Sequence, residues 1–314
     1  MSSLAFARRD LLALTLAAAS WGLGTVISKR ALDDIPPLTL LPIQLAASLV
    51  VLAVLMRRRG VPFRTSGPAV LGRLGILNPG LAYALSLLGL VYVSASLSVL
   101  LWAIEPLMIL VLAAGVLGER VTRTLAGLSL IAVTGMLLVV YDPASSGRWI
   151  GVALTLAGVA CCATYSVIAR RWLGAADSTA QVVFTQQAHA LAFALVVLGA
   201  AAVLGGSVSP ATISPAGLLS AIASGVLYYA AAYWFYLGAL RNVPASLAAV
   251  SFYLIPLFGV AGGYLLLADR LDGRQWVGVA IVLAAVLAII RQPTRDPALV
   301  SSTALRPPRP EATP

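Results

Sequence analysis

Two stretches of this 314-residue chain share a pattern that decides its fold: residues 93–120 read VSASLSVLLWAIEPLMILVLAAGVLGER, and residues 243–270 read VPASLAAVSFYLIPLFGVAGGYLLLADR. A shift of 150 residues also aligns the longer ranges 80–140 and 230–290 without a gap. Apolar sequences match by chance more easily than mixed ones, so Pro, Tyr and acid–Arg matches carry the most weight. The matches of these three types pair Tyr83 with Tyr233, Pro106 with Pro256, and Glu119-Arg120 with Asp269-Arg270. The chain therefore contains an internal repeat.

The repeat extends to the first helix of each half. Residues 13–17, ALTLA, recur as residues 153–157, and the basic pair Lys29-Arg30 recurs as Arg170-Arg171. We therefore expect the two halves to hold the same structural unit.

The composition is that of a membrane protein. Sixty per cent of the residues are hydrophobic and 10% are charged, whereas soluble domains carry about 25% charged residues. This composition argues against a soluble enzyme, and it excludes disorder for most of the chain. Runs of about 20 apolar residues, the length of a membrane span, occur at 11–28, 38–56, 71–91, 96–117, 124–141, 149–169, 180–203, 218–240, 245–267 and 275–290. The third is interrupted by Asn78-Pro79-Gly80. The sequence predicts an all-α membrane protein with ten transmembrane helices.

The net charge of +10 would suggest a nucleic-acid partner in a soluble protein. With the N-terminus inside, however, 16 of the 21 basic residues fall in inside segments and 5 in outside segments. This bias follows the positive-inside rule. It predicts a multi-pass protein of the inner (plasma) membrane with both termini cytoplasmic, and it explains the charge without nucleic acid.

The predicted organisation has four parts. They are a cytoplasmic N-terminus (1–10), a first five-helix repeat (11–141), a second five-helix repeat (149–290) and a disordered cytoplasmic tail (291–314) rich in Pro, Ser and Arg. An alternative for the N-terminus is a cleaved signal peptide, since Arg8-Arg9 precedes an Ala-rich run. Cleavage would remove one member of a matched pair, which favours the spanning helix.

Because each repeat has an odd number of spans, the second half must enter the membrane inverted. Lys29-Arg30 then falls outside and Arg170-Arg171 inside. Inverted repeats are typical of secondary transporters. The physical reason is that two similar inverted halves give outward-open and inward-open states of similar energy.

With these features the sequence resembles the drug/metabolite transporter superfamily with paired EamA domains. The resemblance covers about residues 8–291 and rests on Trp21-Gly22, Pro36-Pro37, Ser94-Ala95-Ser96, Pro106, Gly118-Glu119-Arg120, Gly127, Pro244-Ala245-Ser246, Pro256 and Asp269-Arg270. It implies ten helices, a central cavity, and export or uptake of small metabolites. One departure is Gln44, where the second span of the family often has an Arg.

Glu105 is the first candidate site residue, since it is the only Asp, Glu, Lys or Arg deep in a predicted span. A charge at the bilayer centre costs about 2.5–3.5 kcal/mol on insertion scales, so this carboxyl must face the protein interior or a watery cavity. It is a candidate for substrate recognition and for proton coupling. The alternative is a protonated Glu that bonds nearby backbone and fixes a helix break at Pro106. Its counterpart in the repeat is Ile255, so an ionisable site there is asymmetric.

Aromatic residues supply the other candidates for substrate binding. Ser98, Trp102 and Glu105 share one helical face, and an indole beside a carboxylate suits an organic cation. Tyr83 and Tyr233 form a pseudo-symmetric pair, and Trp21 and Tyr165 are expected as cavity walls. The alternative for these residues is helix packing or anchoring at the membrane interface, which we prefer for Tyr236. Gln44, Gln186, Gln187 and His189 are expected to form interhelical hydrogen bonds, and Cys161-Cys162 to serve as small packing residues.

No catalytic, metal-binding or cofactor-binding motif occurs, so the sequence predicts no enzyme and no cofactor. The favoured function is secondary active transport by alternating access, and the family resemblance, more than the residues, implies proton-coupled export of amino acids or related small metabolites. A lipid or lipid-linked head-group flippase on the same fold is one alternative, and a non-transporting membrane receptor or assembly factor is another. Expected partners are the substrate and membrane lipid, and one chain with both repeats suffices as a monomer.

Overall fold

The structure, a computed structural model, describes residues 8–63, 68–90, 92, 101–102, 104–140, 148–174, 178–206, 208, 213–266 and 272–291. All regular secondary structure in these ranges is helical, as the sequence predicts. We number the helices α1 (Arg8–Ala31), α2 (Pro37–Arg58), α3 (69–90), α4 (Glu105–Leu117), α5 (Arg123–Val140), α6 (Trp149–Leu173), α7 (Thr179–Val203), α8 (Pro215–Leu240), α9 (245–266) and α10 (Gly273–Ile290).

Within the described ranges, six helices have the length and hydropathy to cross a membrane. These spans are Arg8–Ser28, Pro37–Arg58, Trp149–Leu173, Thr179–Val203, Pro215–Leu240 and Gly273–Ile290. The apolar helical parts Glu105–Leu117, Arg123–Leu138 and Ala245–Gly259 are shorter. The described residues therefore show six of the ten helices as clear candidate spans, and α3, α4, α5 and α9 are not among them.

The helices α3 and α8 each contain a π-helical turn at the same place in the repeat. In α3, Ile76–Leu81 separates Ala69–Gly75 from Ala82–Leu90, and in α8, Val226–Ala231 separates Pro215–Gly225 from Ala232–Leu240. The two turns lie 150 residues apart. In α3 the break is sharper, because Asn78 is extended (φ −149°, ψ 122°) before Pro79, and the residue before a proline avoids the helical conformation.

The two halves pack mainly on each other. Helix α1 contacts α8 and α9, and its counterpart α6 contacts α3 and α4. In the same way α2 contacts α7 and α8, whereas α7 contacts α2 and α3. The remaining counterparts, α5 and α10, pack together. Each major contact between two helices therefore recurs between their counterparts in the other repeat. The core accordingly lies between the two halves.

Gly75 and Gly225 make the closest of these crossings possible. Gly75 of α3 lies against the backbone of Gln186 in α7, and Gly225 of α8 lies against the backbone of Gln44 in α2. A Cβ atom on Gly225 would be 2.5 Å from the Gln44 carbonyl oxygen. The two glutamine side chains tie the same crossings together. The Gln44 amide donates to the Ser28 and Ser224 hydroxyls, and the Gln186 amide donates to the Leu71 carbonyl, each at 2.8 Å.

The Gly118-Glu119-Arg120 motif links α4 to α9. Gly118 ends α4 in a left-handed conformation (φ 68°), which glycine adopts without strain. The chain then turns so that Glu119 reaches the first residues of α9. Its carboxylate accepts hydrogen bonds from the Ala245 and Ser246 amides (2.8 and 3.0 Å) and from the Ser246 hydroxyl (2.6 Å). Glu119 therefore caps the positive end of α9 from the other repeat.

Hydrogen bonds between connecting segments join segments that the sequence predicts on the same side of the membrane. On the predicted outside, Asp34 bonds Ser214, Thr39 bonds Val208, and Arg148 bonds Tyr92. On the predicted inside, Glu119 bonds Ser246, Asn242 bonds Asp10, and Gln181 bonds Pro62. These contacts are consistent with ten crossings in alternating directions.

Candidate functional site

The candidate residues meet at the centre of the main hydrophobic core. Trp21 of α1, Tyr165 of α6 and Tyr233 of α8 are buried, Glu105 of α4 is 9% exposed, and Tyr83 and Trp102 are half-buried. Both repeats contribute, because the first four helices and α6 to α9 all have side chains in or against this core. We call the rings of Trp21, Tyr83, Trp102, Tyr165, Tyr228, Tyr229, Tyr233 and Tyr236 the aromatic cluster.

Trp21 lies at one end of the aromatic cluster. Its ring centroid is 5.5 Å from that of Tyr233 and 5.4 Å from those of Tyr236 and Phe252, each in an edge-on arrangement. Tyr165 contacts Tyr233 at 6.2 Å. Edge-on aromatic pairs contribute about 0.5–1.5 kcal/mol beyond the area they bury, so this end is firmly packed.

Tyr83 lies at the other end. It stacks on Trp102 with ring centroids 5.9 Å apart and planes inclined by 24°, and it contacts the rings of Tyr228 and Tyr229 edge-on. The Tyr83 hydroxyl also donates to the Tyr228 hydroxyl at 2.8 Å. Tyr83 and its counterpart Tyr233 thus lie on either side of Tyr229, which stacks on Tyr233.

Asn78 is a polar member of the centre that the sequence did not indicate as a site residue. Its side-chain oxygen accepts hydrogen bonds from the Tyr233 hydroxyl at 3.0 Å and from the Cys162 thiol at 3.2 Å. Asn78 can face the core because α3 is broken at that residue. The triplet Asn78-Pro79-Gly80 indicated a break in the helix. Because binding sites of transporters often lie at broken membrane helices, a polar residue in that triplet was the signal that could have identified Asn78.

Glu105 is the first residue of α4, inside the predicted fourth span, and residues 101–102 just before it are also helical. The helix begins here because Pro106 has no amide hydrogen to donate and suits the first turn. Cys162, Tyr228 and Tyr236 lie close enough to interact with the Glu105 carboxyl electrostatically. The salt bridge among the described residues joins Arg274 and Asp272, so no described cation pairs with Glu105.

Two buried donors in the aromatic cluster are unsatisfied. Among the described residues, neither the Trp21 indole N–H nor the Tyr236 hydroxyl has a hydrogen-bond partner. Ser166 lies near the Tyr236 hydroxyl, but no hydrogen bond of normal geometry joins them. Tyr236 is 1% exposed and packs against Trp21 and Phe252, which agrees with the helix packing that we prefer for it and not with a lipid-facing position at the membrane interface. The reason is that α8 is covered by α1 and α9 on that face.

Several residues singled out in the sequence lie either outside the described ranges or away from the aromatic cluster. Ser98 lies outside the described residues, as do Asp269 and residues 93–97 of the repeat. His189 contacts the carbonyl of Thr185, on its own helix, at 2.8 Å. Gln187 donates to the Tyr229 carbonyl at 3.4 Å. Within the described ranges, no three His, Cys, Asp or Glu residues lie close enough together to hold a metal ion.

The sequence profile of the EamA-like transporter family matches the chain twice, over residues 9–141 and 149–291. The chain belongs to the EamA-like transporter family. The resemblance predicted from the sequence motifs is confirmed, and so is the organisation into two repeats of that family. As a family of transporters, EamA-like proteins are membrane proteins that act on small-molecule substrates and are not enzymes.

This EamA-like transporter is similar along nearly its whole length to curated proteins. It is 24% identical over 286 residues to an uncharacterized transporter of Archaeoglobus fulgidus, which covers 89% of this chain and 98% of the relative. It is 25% identical over 288 residues to the pseudopaline exporter of Pseudomonas aeruginosa, which covers 90% and 96%. A crystal structure with 18% identity superposes with a TM-score of 0.75 over 95% of this chain and 99% of the other, which shows the same fold.

Proposed function

We propose that this EamA-like transporter is a proton-coupled exporter of amino acids or related small metabolites that works by alternating access. The observation that carries the proposal is the placement of Glu105. This carboxyl is buried between the repeats, beside the aromatic cluster and without a described cation. A buried carboxylate requires a compensating charge, and either a proton or the ammonium group of a substrate can supply it.

The surroundings of Glu105 suit the rest of an amino acid. Trp102, three residues before Glu105, and Tyr228, which interacts with the Glu105 carboxyl and contacts the Tyr83 ring, offer aromatic faces to an ammonium group held by the carboxylate. The unsatisfied donors of Trp21 and of Tyr236, which lies close enough to Glu105 to interact with it, offer hydrogen bonds to a carboxylate. A substrate with both groups would satisfy polar atoms that the protein leaves unsatisfied.

Coupling follows from competition at a single carboxyl. In the inward-open state, ionised Glu105 binds the ammonium group of the substrate. In the outward-open state, a proton from outside binds the carboxylate and releases the substrate. The transporter, with Glu105 protonated and uncharged, then returns to the inward-open state, and the proton leaves to the cytoplasm. One substrate moves out for each proton that moves in, and a ligand that stabilises one state shifts the equilibrium between the two.

Three further observations support this proposal. The contacts between connecting segments agree with ten crossings in alternating directions, and the bias of basic residues supports cytoplasmic termini at the inner membrane. Both repeats of one chain line the aromatic cluster, so a monomer holds a complete site. A relative with similarity over nearly the full length is an exporter, which supports the direction of transport.

The test is uptake of radiolabelled amino acids into proteoliposomes under an imposed pH gradient, with wild type, Glu105→Gln and Glu105→Asp side by side. We expect gradient-driven flux in wild type, weaker coupled flux in Glu105→Asp, and loss of the pH dependence in Glu105→Gln. Equal gradient-driven flux in wild type and Glu105→Gln would remove Glu105 from the coupling mechanism. Absence of flux for every compound, with protein shown to be folded, would favour the receptor or flippase function.

A further inference from the structure

A cavity of about 300 Å³ opens where the ends of α2 and α8 meet the start of α7. Its lining includes Arg59, Arg241, Trp234, Ser178, Thr179 and Leu55. None of the candidate site residues belongs to this lining. All three helix ends lie on the side of the membrane that the basic residues predict to be cytoplasmic. The cavity is therefore distinct from the aromatic cluster and sits at the level of the membrane surface.

The lining of this cavity is basic and rich in hydrogen-bond donors. Arg59 and Arg241 provide two guanidinium groups, Ser178 and Thr179 provide two hydroxyls, and no acidic residue is among the described lining residues. The Arg59 guanidinium lies over the Trp234 ring, 5.2 Å from its centroid, and this contact holds it at the cavity wall. The Arg170 side chain donates to the Arg241 carbonyl at 3.3 Å, which brings a third guanidinium close to the site.

The backbone around the cavity adds to its preference for anions. The 25-residue helix α7 begins at this cavity, and its first turn has no side-chain cap from Ser178. Helix starts of this kind favour negative charge. The last turns of α2 and α8 would favour cations, but carbonyls in both already accept hydrogen bonds from the following chain. The Leu55 and Met56 carbonyls accept from Arg59 at 3.1 Å and Val61 at 2.9 Å, and the Ala239 carbonyl accepts from Asn242 at 2.8 Å.

We propose that this cavity binds a phosphate group, supplied by the head group of an anionic phospholipid. Planar guanidinium groups fit phosphate oxygens with paired hydrogen bonds. The position at the helix ends matches the level of lipid phosphates, and basic pockets between membrane helices on the cytoplasmic side suit anionic head groups. Leu55 and Val61 beside the arginines can contact the apolar part of the lipid. A soluble phosphate compound would share the head-group chemistry but not this apolar contact.

The experiment uses the full chain purified in detergent and native mass spectrometry to count retained lipid. The probes are phosphatidylglycerol, phosphatidylethanolamine and, as a soluble competitor, inorganic phosphate. The variants are Arg59→Gln and Arg241→Gln, with Arg58→Gln as the matched control, because Arg58 is an exposed neighbour on α2 that does not line the cavity. Thermal unfolding of each variant without added lipid verifies that the fold is intact.

We expect wild type and Arg58→Gln to retain phosphatidylglycerol in preference to phosphatidylethanolamine. Arg59→Gln and Arg241→Gln should each bind phosphatidylglycerol about tenfold more weakly, because each loses a hydrogen bond to a charged group. Equal weakening in Arg58→Gln would show general surface attraction and overturn the proposal, as would equal retention of the two lipids. If inorganic phosphate binds in a way that depends on both arginines but phosphatidylglycerol is not retained, the proposal that a lipid supplies the phosphate group is wrong. The result does not depend on Glu105 or on transport.

Discussion

At the scale of single residues, the centre of the protein combines one carboxyl with two unsatisfied donors. Glu105 can accept hydrogen bonds or bind a cation, and the Trp21 N–H and Tyr236 hydroxyl can donate. The Asn78 side-chain oxygen adds no free acceptor, because it already accepts hydrogen bonds from Tyr233 and Cys162. The polar groups open to a substrate are therefore few, and each can be tested separately.

Replacing Tyr236 with Phe removes one donor while keeping the ring. If Tyr236 binds the substrate carboxylate, the apparent affinity for an amino acid should fall about tenfold, because hydrogen bonds to charged groups contribute about 1.5–3 kcal/mol. The affinity for the corresponding amino-acid amide should change little. Competition between amino acid and amide in the flux assay measures this difference.

Tyr253→Phe is the matched control for Tyr236→Phe. The Tyr253 hydroxyl is also buried without a partner among the described residues, and it has a serine, Ser129, nearby as Tyr236 has Ser166. Tyr253 lies in a second core formed by α5, α9 and α10, away from the site. A similar change in both variants would mean that Tyr236 acts through packing and not through the substrate.

At the scale of helices, the motifs that identified the family have physical reasons. Gly118-Glu119-Arg120 ends α4 and caps α9, which accounts for an acidic residue after a glycine. Trp21-Gly22 combines a ring in the aromatic cluster with a close contact to the α9 backbone, where a Cβ atom on residue 22 would be 2.6 Å from the Ile255 carbonyl. Pro36 and Pro37 start α2, where their missing amide hydrogens are not needed.

The crossing of α8 over α2 should depend on Gly225. In Gly225→Ala the new methyl group would collide with the backbone of Gln44, 2.5–2.7 Å away, and backbone cannot move aside as a flexible side chain can. We expect a loss of about 1–3 kcal/mol in the free energy of unfolding. Gly238→Ala, on the same helix, meets nothing within 4 Å and should gain up to about 1 kcal/mol from helix propensity. Thermal unfolding in detergent measures both, and a stable Gly225→Ala protein would show that the crossing is looser than the structure indicates.

At the scale of the whole molecule, the sequence predicted the helical class, the family and the two repeats because these depend on patterns that span many residues. The 150-residue shift even places the two π-helical turns and the limits of α5 and α10 in register. The sequence could not predict which aromatic residues are buried, because burial depends on which helices pack over a given face. Tyr233 and Tyr236 lie on the same face of α8, and the structure buries both. Asn78 and the cavity at Arg59 and Arg241 were missed for a similar reason, since both are assembled by contacts between distant helices.

The predicted sidedness of the connections can be tested on the whole protein in cells. A cysteine introduced at the highly exposed Leu204, between α7 and α8, should react with a membrane-impermeant maleimide from outside. A cysteine at Gly174, after α6, should react only after the membrane is opened. The parent chain is the control, since Cys162 is buried and Cys161 partly so. Labelling of both positions from outside would contradict the alternating topology.

The exchange of contacts between the halves has a consequence for biogenesis. Helix α5 leaves the ribosome long before α10, the helix against which it packs. In the same way, α1 must wait for α8 and α9, so the first half stays in the bilayer without its native neighbours while the second is being made. A chain truncated before α10 would leave α5 facing lipid, and such incomplete products are natural substrates for membrane quality control. The time needed to translate the second half therefore sets a lower limit on how soon the transporter can mature.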